Sequence, residues 1–339
     1  MCVSRFKLYN DDVEVATFEV AHAVVTSFEP SKPALLPMQL RGASAEGFSA
    51  WLRERAIDLN NLQHRQLMNA LLGSRDKLTL ALKTHMFSLS DTFTCFEAGD
   101  FAPRRALCDV EGQNAASGFI LLSSDTSLRQ PALATPNAST DGSFTKTWRF
   151  EQGEWWLYKL QPSAATRTEV EISRTLRACG WDAAEYAYVG HYRRRVRSRL
   201  FLGEGEFFEP YDSFRFFFDD RSDDDGVIRV NLASLGPGFD RAWRRILLSD
   251  AVFFNTDRHM RNFGVIRSSR TGAVLRLAPN FDNNQAYLAN PGGIYSPAML
   301  KAYMASTGAD DLDELRALHE ALRDNRYLEQ ARAASEAYM

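Results

Sequence analysis

Cysteine is scarce. Of 339 residues four are Cys, and Cys2, Cys95, Cys108 and Cys179 lie scattered, with no CxxC pair and no histidine cluster beside them. That spacing excludes a disulfide framework and a cysteine-based zinc site, and each thiol reads as a reduced, small apolar side chain. Positive charge is not in excess either: 40 Lys and Arg stand against 43 Asp and Glu, a formal net charge of −3. No global field is available to hold a nucleic-acid backbone, so direct nucleic-acid binding is not expected. Apolar runs fall short of the roughly 20 residues of a membrane span, so no membrane association is expected. The start, MCVSRFKLYNDDVEVATFEV, lacks the basic, apolar and small-residue succession of a secretory signal, and a cytoplasmic location is the expectation. Internal repeats and low-complexity tracts are missing as well.

What is present is an ordinary globular composition, 45% hydrophobic and 24% charged. At roughly 150 residues per domain the length suits about two domains with a sizeable core. The pattern changes along the chain. A strand hairpin turning at Asn10-Asp11-Asp12 opens it. Helical spacing follows at Phe48 to Ile57, Leu62 to Leu71 and Leu78 to Leu82. Ser88 to about Leu122 carries few helix signals, and LRQPALATPNASTDG marks a boundary or a working loop. From Lys146 the period is two, with TWRF and WWLYKL joined by the turn EQGE as a hairpin. The next helix reads as capped by Thr168, with Glu171 completing a capping box and Gly180 ending it. Strands are expected at about 184–192, 196–202 and 207–211. Helices are expected at 239–254, 297–305 and 312–331, interrupted by a strand-loop-strand around 263–277.

Chemistry concentrates in DAVFFNTDRHMRNFGVIRSSRTGAVLRLAPNFDNNQ, from Asp250 to Gln285. A helix end delivers Asp257 and, five positions on, Asn262; downstream the apolar run LRLAP delivers Phe281-Asp282. Phosphoryl transfer needs a carboxylate to orient the attacking hydroxyl, and an Asn and a second carboxylate to hold Mg²⁺ against the phosphates. D-x-x-x-x-N is also the spacing of the protein-kinase catalytic loop, although by itself it equally describes two turn-capping residues. Upstream, Lys159 lies in an apolar strand, where an ammonium needs an anionic partner or must snorkel from an edge. Glu169 on the following helix offers a carboxylate. The small-polar loop from Ser139 to Lys146, with Gly142 and Ser143, is of the kind that lets backbone N–H groups approach phosphate, or is a plain surface turn. The serial order of polar loop, strand lysine, helix glutamate, D-x-x-x-x-N and strand-borne Asp is that of a bilobal kinase.

NTDRHMRNFGV followed by LAPNFDNN, with STDGSFTKTW and the strand lysine upstream, resembles the HipA-type serine/threonine kinases, the bacterial toxin kinases and their relatives. LLPMQL, WLRERAIDLNNLQHRQLMNALL and SLSDTFTCFEAGDF resemble the accessory region of one HipA-like branch. The resemblance thus covers most of the chain and is most specific in the catalytic stretch. It implies an α+β, protein-kinase-like bilobal fold: a β-rich N-lobe over 126–206, a helical C-lobe over 207–339, and an N-terminal accessory α+β domain over 1–125. It implies ATP and Mg²⁺ as cofactors, a protein substrate with a Ser or Thr acceptor, and an antitoxin as a possible partner. Asp257 would be the catalytic base, Asn262 and Asp282 the metal ligands, and His259 a residue shaping the loop. Lys159 would contact the ATP phosphates with Glu169 or its rival Glu171 as partner, and Ser139 to Lys146 would form the phosphate loop. EGEFFEP, with Glu206 and Phe208, would supply the hinge that meets adenine. Ser139 would be a self-phosphorylated switch. The FDNN sequence departs from the usual kinase metal motif, which has Gly after Phe.

Arg193, Arg195, Arg197 and Arg199 alternate and would share one strand face, either solvated against nearby acids or binding phosphate. The acidic run Asp219 to Gly226 fails as a calcium loop, since aligning Gly226 puts Leu232 where a bidentate Glu is required. Two rival functions remain: a phosphoinositide-type lipid kinase, which also uses D-R-H-x-x-N, and a catalytically silent kinase fold acting as a binding module.

Overall fold

The computed structural model describes residues 3–56, 76–108, 114, 134, 136–139, 144–190, 194–286, 297–307 and 311–339. The chain forms two compact units. One comprises Met1–Leu160, Leu202–Glu209 and Arg267–Val274; the other comprises Gln161–Phe201, Pro210–Ile266 and Leu275–Met339.

In the first unit β1 (Ser4–Asn10) and β2 (Val13–Ala21) form the expected opening hairpin, with Asp11 in the left-handed region at the turn. Two further strands complete an antiparallel sheet of order β3-β2-β1-β4: β3 (Val24–Pro30) and β4 (Phe93–Glu97). Neither was expected from the sequence. Leu8, Val15, Phe18 and Val25 bury one sheet face against α1 (Ala45–Glu54) and α2 (Lys77–Lys83). Phe48 of α1 is wholly buried, stacked on Phe28 at 4.0 Å between ring centres, and such burial contributes about 1.5–3 kcal/mol. Ser44 caps α1 and Asp76 caps α2, each side chain accepting from a backbone N–H of the first turn. The helix expected at Leu62 to Leu71 lies outside the described residues. A short helix, α3 (Arg104–Leu107), follows β4.

The unit also contains the hairpin of β5 (Thr145–Glu151) and β6 (Glu154–Leu160), in the register Lys146↔Lys159. Its two-residue turn, Gln152-Gly153, has both φ angles positive, at 55° and 84°, as a tight hairpin requires.

In the second unit α4 (Ser163–Ala178) begins directly after Pro162. The expected capping box is therefore wrong: Thr168 is buried in mid-helix and Glu171 lies a turn further in. SAATRT at the start has no apolar stripe, so the sequence pattern disclosed the helix only from Val170. Against α4 packs the hairpin of β7 (Tyr186–Val189) and β8 (Arg195–Arg199). After β9 (Glu206–Pro210), whose residues up to Glu209 belong to the first unit, come α5 (Tyr211–Phe214) and α6 (Asp225–Ser234), neither of them foreseen. The acidic run ends in an N-cap: the Asp224 carboxylate accepts from the N–H groups of Gly226 and Val227. The long helix α7 (Pro237–Phe253) precedes β10 (Gly264–Ser268) and β11 (Val274–Leu277). Helices α8 (Pro297–Thr307), α9 (Leu312–Ala321) and α10 (Glu329–Tyr338) close the chain. One helix was expected over 312–331; Asn325 interrupts it by accepting from the Tyr327 N–H. Among the described residues no helix is long and apolar enough to cross a membrane.

Candidate active site

The catalytic-loop candidate follows from how α7 ends. Its last turns bury Ile246, Leu247, Ala251 and Phe253, and Phe254 then takes a left-handed conformation at φ 48°, which stops the helix. The polar sequence Asn255 to Asn262 can only loop. Phe263 re-anchors it, packing on Trp243 at 4.4 Å and on Tyr211 at 5.0 Å between ring centres.

Within the loop Asp257 is exposed. Its carbonyl accepts from the His259 N–H at 3.0 Å and from Asn262 Nδ2 at 2.9 Å. The second bond assigns the Asn262 amide: Nδ2 is the donor, and Oδ1 is the acceptor oxygen. His259 is exposed, its Nδ1 accepting from the Arg261 N–H, a contact internal to the loop.

Asp282 is set by its neighbour. Phe281 packs among Val170, Ala184, Tyr186 and Val196, and the Asp282 N–H donates to Tyr186 Oη at 3.2 Å. Asp282 has φ 60°, a conformation that Asp and Asn tolerate better than other L-residues. Its Oδ1 accepts from Asn284 Nδ2.

Sequence reasoning missed the residue that joins these two segments. Arg258 makes a fork with Asp250, Nε to Oδ2 and Nη2 to Oδ1, both 2.8 Å. Nη1 donates to the carbonyls of Asn262 and Phe281, again at 2.8 Å each, and Nη2 reaches the amide oxygens of Asn280 and Asn283. Asn255 extends the cluster, donating to Asp250 and Asn283 and accepting from the Asp257 N–H. The signal was in the sequence, since Asn255, Asn280 and Asn283 flank apolar runs, but nothing in spacing alone pairs them across some 25 positions.

Glu169 is fully buried on α4, accepting from Gln161 Nε2 at 2.6 Å. Glu171 turns elsewhere, to Tyr188 Oη and Asn325 Nδ2. Of the arginine stripe, Arg195, Arg197 and Arg199 lie on β8 and Arg193 is outside the described residues. Arg199 approaches Glu185 at 3.9 Å.

The remaining candidates belong to the first unit. Lys159 is 3% exposed on β6 and faces Lys146 across the hairpin, so two ammonium groups share one sheet face. Asn137 pins the segment before the proposed phosphate loop to β5, its Oδ1 accepting from the Trp148 N–H and the Thr147 hydroxyl. Ser139 ends the 3-10 turn Pro136–Ser139; Gly142 and Ser143 lie outside the described residues. On β9, Glu206 accepts from the Gly203 N–H, and the Phe208 N–H already donates to the Ser90 carbonyl at 2.9 Å.

No protein-family model matches the sequence, and no curated protein matches it. Among solved structures, a chain of the Shewanella oneidensis MR-1 toxin–antitoxin complex of HipA, HipB and operator DNA superposes with a TM-score of 0.60. The match covers 98% of this chain and 97% of that one, at 13% identity. The chain has the HipA kinase fold. A second neighbour is the Helicobacter pylori proinflammatory kinase CtkA, with a TM-score of 0.41, 12% identity, and coverage of 57% of this chain and 89% of its own. By their chemistry the Asn262 amide oxygen and the Asp282 carboxylate would fit a hard cation, since both are ligands that Mg²⁺ accepts while keeping waters and substrate oxygens.

Proposed function

We propose that the chain is an ATP- and Mg²⁺-dependent kinase that transfers the γ-phosphoryl group to a Ser or Thr hydroxyl of a protein. The observation that carries this reading is the Arg258 cluster, which gathers the Asp257 loop and the Phe281-Asp282 turn around one guanidinium. Two segments that a chance motif would leave unrelated are joined, and the fold is one that houses kinases.

In this reading Asp257, exposed at the loop tip, orients the acceptor hydroxyl and takes its proton late in the transfer. Asn262 Oδ1 and the Asp282 carboxylate are the groups that would hold Mg²⁺, which when bound neutralises charge on the β- and γ-phosphates. Lys159 and Lys146 would meet the nucleotide phosphates, and Ser139 to Lys146 would form the loop over them. Glu169, fully buried on α4, would be the helix carboxylate, with Glu171 as its rival. The hinge would be Glu204 to Pro210, with the Phe208 N–H turned to Ser90 and so not the donor to adenine. The three-part division at about 125 and 206 belongs to the same reading.

The HipA neighbour comes from a complex with HipB and operator DNA, and an antitoxin-like protein partner is part of the proposal, as is a toxin-type role regulated by phosphorylation of Ser139. Phosphate there would add nearly two negative charges to a loop that must approach ATP phosphates, and would expel it.

The test is incubation with labelled ATP, Mg²⁺ and a cell lysate, comparing wild type with Asp257→Asn. Labelled protein bands that need the carboxylate are expected. Equal labelling by both forms would overturn the reading, and transfer to phosphoinositide vesicles but not to protein would replace it with a lipid kinase.

A further inference from the structure

An arginine next to a catalytic aspartate is ordinarily read as a phosphate ligand, because its fork matches phosphate oxygens. Arg258 is built otherwise. Its side chain is 5% exposed and its charge is matched by Asp250, which is 0% exposed. The contacts described above engage all three nitrogens. One nitrogen, Nη1, bridges the carbonyl of Asn262 itself and that of Phe281, the residue before Asp282. The guanidinium is planar and of fixed geometry, so whatever holds it also fixes these two carbonyls against each other. Asp250 does the holding, from the end of α7.

We propose that Arg258 is a positioning residue that sets the candidate metal ligands Asn262 and Asp282 relative to one another, and that it makes no contact with phosphate. The proposal rests on the reading of Asn262 and Asp282 given above. Supporting residues behind metal ligands typically govern metal affinity by about 10–100-fold. Lysine in its place would keep the charge opposite Asp250, but a single ammonium cannot span both carbonyls and the Asp250 carboxylate.

Mn²⁺, followed by its electron paramagnetic resonance signal in the presence of ADP, measures the site without any turnover. Metal-free ADP affinity is measured in parallel. Arg258→Lys is expected to weaken Mn²⁺ binding at least about tenfold and to leave metal-free ADP affinity within about twofold, whereas a merely structural loss would lower both together. A folded Arg258→Lys protein that binds Mn²⁺ as wild type does, or that loses metal-free ADP affinity instead, overturns the proposal. Should the lysine variant not fold, Asp250→Leu combined with Arg258→Met removes both buried charges, an exchange that folds commonly tolerate, and the same weakening of Mn²⁺ is expected. If neither form folds, Arg258 is a strut for folding alone and the proposal falls. Asp282→Asn is the control for the underlying reading. If it binds Mn²⁺ as tightly as wild type, or wild type binds none, the metal site itself is misassigned; if Asp282→Asn fails while Arg258→Lys binds normally, only the role of Arg258 is wrong.

Discussion

At the scale of single residues, backbone conformation decides which substitution tests a role cleanly. Asp282 sits at φ 60°, where a side chain without a local hydrogen bond costs about 1–2 kcal/mol. Asp282→Ala would thus mix strain with loss of charge. Asp282→Asn keeps the left-handed tolerance and removes only the carboxylate. Its phosphoryl-transfer rate is expected to fall at least a hundredfold, the loss of about 2.7 kcal/mol, with a thermal midpoint close to wild type. A rate within about tenfold of wild type would end the metal-ligand assignment. The thiols obey a different rule. Burial pushes Cys95 up to about 12 and Cys179 up to about 11, and the thiolate is the reactive form. Iodoacetamide at pH 8 is expected to leave Cys95 unmodified in the native protein and to alkylate it in urea, as peptide mass mapping would show; modification at equal rates in both states would contradict its burial.

Elements were legible in the sequence where one physical signal dominated, and illegible where several short ones competed. The β5–β6 hairpin could be read because alternation and a Gly-bearing turn agree. β3 was hidden because VVTSFEP runs into prolines and looks like a loop, while its pairing partner is what makes it a strand. α6 was hidden by the acidic run that caps it. The Asp257–Asn262 loop and Asp282 could be singled out from spacing as candidates, yet the Arg258 cluster could not, because it is made of ordinary asparagines that acquire meaning only when the strands return them to α7. Caps carry a testable pH signature. At Asp76 burial raises the carboxyl pKa, but the Thr79 hydroxyl and N–H and the Arg53 guanidinium outweigh it and hold it below the ordinary value. A depressed folded pKa stabilises the fold above the unfolded value of about 3.9 and loses that contribution as pH falls through the folded pKa. Asp76→Ala should therefore cost about 1 kcal/mol at pH 7 and progressively less below about pH 4. Urea melts at both pH values check this, and a cost that persists in acid would point to packing instead of the cap.

At the scale of the molecule, the first unit gathers segments from three separated parts of the chain, and a buried ion pair ties them. Arg267 is 0% exposed and its Nη1 meets Glu209 Oε2 at 2.5 Å, while its guanidinium lies over the Phe207 ring. The same pair reaches into the N-terminal region: Glu209 Oε1 accepts from the Met38 N–H, and Arg267 donates to the carbonyls of Leu36 and Ala34. Gly272, at φ 72°, stands where an added Cβ would come within 2.1 Å of the Ala34 oxygen, so the turn after β10 accepts no side chain there. Phe207 completes the N-terminal core, edge-on to Phe93 at 5.4 Å. The region proposed as accessory in chemistry is thus a structural partner of the strand proposed as hinge. Removing residues 1–125 would strip the Met38, Leu36 and Ala34 backbone partners from Glu209 and Arg267 and expose Phe207, so the pair and the ring would lose the core they are built into. A 126–339 fragment is expected to show no cooperative urea transition for this unit and to bind a hydrophobic dye, although α4 to α10 can retain helical signal. In the full chain, Arg267→Met should lower stability by about 3–5 kcal/mol, and adding Glu209→Leu should recover much of the loss. If the fragment unfolds cooperatively at the full-length midpoint, or if the second substitution compounds the first, then the ion pair is incidental and β9 folds without the N-terminal sheet.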